Sequence, residues 1–341
     1  MTRLAGSDTA LPSAADALIT ASRGVLLSMS KDPDAKLTYV VTSGSGPGRV
    51  ALKVPTTPRA SSAVEAEGRM LVDLRRLPLG ALRDTIPRYV ASHRECGTTV
   101  LVSTVVPGVP MSVGYHRWLH TARPAAVDAD LAGAARWLRV FWRQTEGARV
   151  PLGWATTVRD DVAGRWDGHA ALPAALGRLA VAQEELAGHT VATTAVHGDF
   201  WFGNTLVSHG EVSGVIDWEA GALQGCPLRD LARFALSYCL YLDRHTQDGH
   251  RVLGHPGLRR TSFGNGVRYG LLGTSWFSAA VRDFLASGLE HLGLPRGLWY
   301  DVALVGLGEI AATANDETFG AEHLALLARM PARPRSEPRQ P

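Results

Sequence analysis

The chain has 341 residues, of which 45% are apolar and 20% charged, and it carries a formal charge of +3. That length and apolar content allow two ordinary domains or one large two-lobed unit with a well-packed core. The near balance of charge gives no sign of nucleic acid or an acidic membrane as a partner. Three widely spaced cysteines, Cys96, Cys226 and Cys239, make neither a disulfide framework nor a zinc ligand set, which fits a reducing, cytoplasmic setting. No signal segment is visible, and no uninterrupted apolar run approaches the roughly 18 residues of a membrane span.

In chain order, Ala14 to Leu27 shows a modest helical pattern after Pro12-Ser13, so residues 1–35 are expected to be a helical extension. Lys31-Asp32-Pro33-Asp34 is a turn cluster. From Leu37 the period changes. Leu37 to Thr42 and Arg49 to Val54 read as two strands joined by Ser-Gly-Ser-Gly-Pro-Gly at 43–48. Such a turn, with Gly44 and Gly46 inside it, is compatible with a loop folded over phosphates or with a plain flexible hairpin tip. Lys53 stands in the apolar run Val50-Ala51-Leu52-Lys53-Val54, whereas Lys31 and Lys36 have polar surroundings. A lysine there can reach phosphate oxygens or simply point outward.

Ser61 to Leu77 is a helix by pattern, with Val64, Leu71 and Leu74 on its apolar side. Glu67 falls on that side and Glu65 does not. A carboxylate on a buried stripe requires a cation, and Lys53 is the candidate. Thr98 to Val106 is a further strand, and Pro107-Gly108-Val109-Pro110 reads as a boundary. The expected organisation is a small lobe at 36–108, a larger helical lobe at 109–330 and a disordered tail at 331–341. Helical patterns follow at Asp128–Gly147, Asp160–Trp166, Leu172–Leu186, Pro227–Leu242, Gly266–Leu292 and Leu298–Asn315.

Between them, Thr205-Leu206-Val207 and Val212–Ile216 flank a polar turn, as in a β-hairpin. Asn204 precedes the first strand and Asp217 follows the second. Antiparallel pairing brings these positions to within roughly 5 Å at the backbone. An Asp and an Asn at one hairpin end suit Mg²⁺, which takes few protein ligands and completes its shell with phosphate and water. Asp199, in the loop opened by His197-Gly198, is placed to orient or deprotonate a hydroxyl.

The order of strand Lys, helical Glu, loop Asp, Asn and Asp resembles the protein-kinase-like fold, an α+β two-lobed architecture. The segment His197-Gly198-Asp199-Phe200-Trp201-Phe202-Gly203-Asn204, followed by Ile216-Asp217-Trp218-Glu219, is similar to the aminoglycoside phosphotransferase and choline kinase group, whose motif reads H-G-D-x-x-x-x-N and then I-D-W/F-E. Gly225-Cys226-Pro227-Leu228-Arg229-Asp230-Leu231-Ala232 resembles the group's G-x-P-x-x-D-L-A segment.

The resemblance implies an enzyme moving the γ-phosphoryl group of ATP or GTP to a hydroxyl of an antibiotic, sugar or amino alcohol. It implies Asp199 as the catalytic carboxylate, and Asn204 and Asp217 as Mg²⁺ ligands. Lys53, held by Glu67, would contact the phosphates together with the Gly44 and Gly46 turn. His197 would brace the loop, Asp230 would be structural, capping or bracing its own helix, and the backbone of Val102–Val106 would pair with the base. A monomer or weak dimer is expected. Gly198 and Glu219 replace an Arg and a Gly of protein kinases, which favours a small-molecule acceptor. The alternative is a nucleotide-binding pseudokinase without turnover, but Lys53, Asp199, Asn204 and Asp217 are all present. For the acceptor, Glu309, Asp316, Glu317 and Glu322 are the candidate acids of a cation pocket, and Trp276, Phe277, Trp299 and Tyr300 are candidates for an aromatic cage.

Overall fold

The computed structural model describes residues 23–29, 34–42, 49–95, 98–244 and 246–332. The first lobe is a five-stranded antiparallel sheet in the order β1-β2-β3-β5-β4. Its strands are β1 (Arg23–Met29), β2 (Lys36–Thr42), β3 (Arg49–Pro55), β4 (Tyr89–Glu95) and β5 (Thr98–Thr104). Helix α1 (Pro58–Leu74) lies between β3 and β4 in the chain. Thr57 starts it: its hydroxyl accepts from the Ala60 amide at 3.1 Å, and Pro58 sits where no N–H is needed. Val64, Leu71 and Leu74 are buried at helical spacing, and Glu67 is buried with them.

Arg23–Met29 corrects the helical reading of Ala14–Leu27 where the two overlap, at Arg23–Leu27. These residues form the outer strand, paired antiparallel to β2 from Arg23↔Thr42 to Met29↔Leu37. The short apolar run Val25-Leu26-Leu27 fits either period, and the free edge of β2 decides it by supplying backbone partners. Residues before Arg23, those at 30–33 and 43–48, where turns are expected, and those from 333 lie outside the described residues.

The second lobe opens with β6 (Val109–Pro110) and α2 (Met111–Tyr115), followed by α3 (Pro124–Gln144). Next come β7 (Arg149–Pro151), α4 (Trp154–Arg165), α5 (Leu172–Leu186), β8 (Thr190–Ala192) and β9 (Thr194–Val196). The hairpin is β10 (Thr205–Ser208) with β11 (Glu211–Val215), and β12 (Ala222–Gly225) returns to pair with β9. Helices α6 (Leu228–Leu240), α7 (Asn265–Leu272), α8 (Trp276–His291), α9 (Trp299–Thr313) and α10 (Glu317–Arg329) complete it. The stretch Gly266–Leu292 divides into two helices, because Gly273 leaves helical geometry and Ser275 caps α8 through the Ser278 amide at 3.2 Å. Among the described residues, no helix is long and apolar enough to cross a membrane.

One aromatic cluster carries the loops of interest. Trp137 of α3 stacks on Phe200 at 5.3 Å and on Phe141 at 4.7 Å, and Phe141 meets Trp218 at 5.6 Å. Phe200 also meets Phe234 of α6 at 5.5 Å. Phe200 and Trp218 are fully buried, and each side chain of this size contributes about 2–3 kcal/mol on burial. The loop holding Asp199 and the loop holding Asp217 are therefore anchored in the same core. Helix α1 packs on β5 and also on the one-turn helix Trp218–Ala220, which brings Glu67 towards Asp217.

Candidate active site

Lys53 on β3 is the junction of the two lobes. Its Nζ lies 2.7 and 2.6 Å from the two carboxylate oxygens of Glu67 and also contacts Asp217 Oδ1. Lys53 is 8% exposed and Glu67 2%, so neither charge could stand there alone. Burial alone would lower the Lys53 pKa, but the carboxylates of Asp217 and Glu67 outweigh it and raise the value above the ordinary one. For Glu67 burial wins, and its carboxyl is raised against the pull of Lys53. For Asp217 the opposite holds: enclosure would raise it, and the Lys53 ammonium holds it below the usual carboxylate range. Glu65, the other carboxylate of this helix, instead accepts from Thr99 Oγ1 at 2.5 Å.

Asp217 has the left-handed backbone φ 66°, ψ 61°, with Ile216 between it and the end of β11, just before the turn Trp218–Ala220. A non-glycine residue in that conformation is held there by its surroundings. The strand register pairs Thr205 with Val215, and the Ile216 amide donates to Asn204 O at 3.0 Å. Asn204 and Asp217 thus flank one hairpin end, offset by a single residue.

The Asp199 loop is fixed from below. The amides of His197 and Gly198 donate to the two oxygens of Asp230 at 2.7 and 2.8 Å. Asp230 is fully buried, and burial raises its carboxyl against these hydrogen bonds. The Asp199 amide donates to His197 Nδ1 at 3.2 Å, so Nε2 carries the proton and donates to Ile216 O at 2.8 Å. His197 thereby ties the Asp199 loop to the residue before Asp217. Gly198 is required at its position. Its φ is +79°, and a Cβ there would lie 2.1 Å from Ala220 O.

The Asp199 carboxylate is gripped on both oxygens. Asn204 Nδ2 donates to Oδ2 at 3.2 Å and to the Asp199 carbonyl at 3.0 Å. Arg233 Nε donates to Oδ1 at 2.7 Å, and its Nη2 lies 2.6 Å away. Exposure separates the acids by role. The Asp199 and Asp217 side chains are 35% and 39% exposed, against 3% for Glu67. Asp199 and Asp217 are open to solvent, whereas Glu67 and Asp230 are buried.

Residues 34–262 match the sequence model of the phosphotransferase enzyme family (APH). The chain belongs to that family. This phosphotransferase shares its fold with solved enzymes at low identity. A thermostable mutant of aminoglycoside phosphotransferase APH(4)-Ia, in the apo form, superposes with a TM-score of 0.54 at 17% identity, over 90% of this chain and 94% of that one. The same enzyme in a ternary complex with ADP and hygromycin B gives 0.54 at 15% identity, over 94% and 98%. The apoenzyme of macrolide 2'-phosphotransferase MphH from Brachybacterium faecium gives 0.51 at 16% identity, over 95% and 98%. No curated protein matches the sequence. The expected α+β two-lobed, kinase-like fold is the one observed.

Of the residues read from the phosphotransferase's sequence, Lys53, Glu67 and Asp217 meet directly, and Asp199 and Asn204 form a second group linked to them through His197 and Ile216. Gly44 and Gly46 lie outside the described residues. Trp201 is half-buried and Phe202 fully buried, stacked on Tyr115 at 4.4 Å. The candidate aromatic cage does not form: Phe277 and Tyr300 are core, and Trp276 and Trp299 pack against it. Cys226 is half-buried, its thiol pushed up by burial to about 12, and Cys239 is fully buried; neither is a nucleophile.

Two residues of the phosphotransferase escaped the sequence reading. Arg233 follows Asp230 by three positions on α6, so the anchor of the loop and the partner of its carboxylate are neighbours on one helical face. That spacing was an available signal. Lys36, read as an ordinary polar position, contacts Glu219 and ties β2 to the segment after Asp217.

Among the described residues, no three His, Cys, Asp or Glu side chains form a metal cluster. The donor set at the hairpin end nevertheless fits Mg²⁺. Nδ2 of Asn204 is turned to Asp199, which leaves the amide oxygen outside that bond, and Asp217 is ionised and partly exposed. One amide oxygen and one carboxylate suit an ion that shares its shell with phosphate and water.

Proposed function

We propose that this chain transfers the γ-phosphoryl group of ATP or GTP to a hydroxyl group of a small molecule. The observation that carries this reading is the Lys53 ammonium shared between Glu67 and Asp217, beside a partly exposed Asp199 clamped through both oxygens. Residues 36–108 bind the nucleotide phosphates, and 109–330 supply the Asp199 loop and the acceptor surface.

Phosphoryl transfer requires positioning and charge neutralisation more than covalent chemistry. On nucleotide binding, phosphate oxygens replace Asp217 as partners of Lys53, and Glu67 keeps the ammonium in place. Asn204 and Asp217 would hold Mg²⁺. When bound, the ion neutralises charge on the phosphate oxygens. Asp199 accepts the hydroxyl proton of the acceptor. The acceptor oxygen bonds to the γ-phosphorus as the bond to the bridging oxygen breaks and the nucleoside diphosphate leaves. Because the transition state of phosphoryl transfer is loose and asks little of a base, Asp199 acts mainly by orienting the hydroxyl and takes the proton late.

A magnesium-ATP turnover screen over antibiotics, sugars and amino alcohols tests the reading. Asp199→Ala should lower turnover about a hundredfold or more with nucleotide affinity nearly intact. Equal turnover of the two proteins would remove Asp199 from the chemistry.

A further inference from the structure

We infer that the acceptor is an anionic, ring-bearing hydroxyl compound, one carrying a carboxylate or phosphate, recognised by Arg233, Arg244 and an aromatic ledge beside Asp199, and that polycations are excluded. The inference rests on the phosphotransfer reading and specifies the acceptor of that same site.

Asp199 marks where the acceptor hydroxyl must lie, so the surface around it sets the acceptor's chemistry. Trp201, two residues on, stacks on Tyr241 at 5.6 Å with an interplanar angle of 26°. The Arg244 guanidinium lies 5.0 Å from the centre of the Tyr241 ring and 5.8 Å from that of Phe263. The ledge is therefore continuous from the Asp199 loop: indole, phenol, guanidinium, phenyl. Gly203 lets it form, since a Cβ there would lie 2.3 Å from the Trp201 ring.

Arg244 is exposed and, among the described residues, forms no ion pair. A guanidinium laid on aromatic faces is preorganised for planar or phosphate anions, with its donor edge left open. Arg233 contributes differently. A bare Asp199 would repel an anionic acceptor, and Arg233 cancels that charge at contact distance. Both guanidiniums act on one spot: buried His323 is pushed down to about 3, first by burial and then by the positive charge of Arg233 and Arg244.

Several of the acids that could build a cation pocket are engaged elsewhere. Glu309 pairs with Arg229, Asp316 caps α10 through the Phe319 amide, and Asp130 accepts from Tyr238 and bonds His120. Asp243, beside Arg244, is buried with its carboxyl raised by that burial, and Asp248 pairs with Arg260. Charge and aromatic surface at Asp199 thus agree on an anion with a ring.

The test uses three probes that share a sugar ring and a nitrophenyl group and differ in net charge through one substituent, a C6 carboxylate, none, or a C2 amine: p-nitrophenyl β-D-glucuronide, the β-D-glucoside and the β-D-glucosaminide with a free amine. Each is titrated by calorimetry into the protein saturated with magnesium and ADP. The glucuronide should bind about tenfold more tightly than the glucosaminide. Arg244→Ala should abolish the preference while ADP affinity is unchanged, and Arg244→Lys should keep part of it. Equal or tighter binding of the glucosaminide, no binding by any probe, or a preference untouched in Arg244→Ala would overturn the inference. If ADP itself fails to bind, the phosphotransfer reading falls as well; if ADP binds and the charge preference is absent, only the acceptor class falls.

Discussion

Lys53 on β3 and Asp217 beyond β11, 164 residues apart in the chain, form an ion pair that joins the two lobes. Glu67 supplies the second carboxylate, so the ammonium is never left uncompensated in the interior.

That redundancy predicts how Glu67→Gln behaves. The amide keeps the shape of the side chain, and Asp217 continues to balance Lys53. Stability should change by less than about 1 kcal/mol, because the costly burial of a second carboxylate is removed along with its attraction. Lys53 would be drawn towards Asp217 and away from the phosphates. We expect nucleotide affinity to fall about tenfold, read by calorimetry beside a thermal melt. A large loss of stability with unchanged affinity would show that Glu67 is a core element alone.

Magnesium should matter through Asp217. Chelation is expected to weaken ADP binding by the wild type, and to have little further effect on Asp217→Asn, because the variant has already lost the charged ligand. The same magnesium dependence in both proteins would move the ion elsewhere.

Gly198→Ala tests the approach of the two loops. The new Cβ would meet Ala220 O at 2.1 Å, in a backbone with φ +79°. Neither strain can be relieved by a side-chain rotation. A cost of about 2–4 kcal/mol is expected, with turnover falling further than nucleotide affinity because Asp199 moves with the loop. Chemical denaturation and steady-state kinetics on one preparation read both.

The Lys36–Glu219 contact should be a modest contributor. Its side chains are 14% and 22% exposed, so water partly screens the pair. A double-mutant cycle with Lys36→Ala and Glu219→Gln should give a coupling of about 1 kcal/mol. A coupling of several kcal/mol would make it a second junction equal to Lys53.

His323 predicts acid sensitivity. It is buried, donates from Nδ1 to Phe319 O at 2.8 Å, and has its pKa pushed down to about 3. In the unfolded chain the imidazole takes a proton near its ordinary value, whereas in the folded chain it does not. The unfolded state therefore binds more protons between about pH 6.5 and 3, and stability is lost as the pH falls through that window. Between pH 7 and pH 5 the wild type should lose about 2 kcal/mol more than His323→Leu. Parallel pH curves would show that His323 is not the responsible group.

Much of the site was legible in the sequence because its signals are local. Apolar period places Lys53 on a strand and Glu67 on the buried side of a helix. Turn chemistry sets Asn204 and Asp217 at the two ends of one hairpin, and the choice of Glu67 over Glu65 follows from helical phase alone. The local wording from His197 to Ala232 carries the family.

Other features were settled only when distant segments met. Residues 23–29 pair with β2 because its edge is open, a fact absent from their own ambiguous run. Which arginine meets Asp199, and which acid meets Lys36, depends on how α6 and the Trp218–Ala220 turn pack, and a sequence rich in arginine offers many equivalent partners. The acceptor surface is of the same kind. Trp201, Tyr241, Arg244 and Phe263 come from a loop, a helix end and the segment beyond it. Their order as a ledge exists only after the core beneath Asp199 has closed. The sequence alone therefore determines the charged groups of the proposed reaction and their spacing, because periodicity and turns are short-range. The tertiary structure decides which of those charges face a ligand, because burial and pairing are long-range.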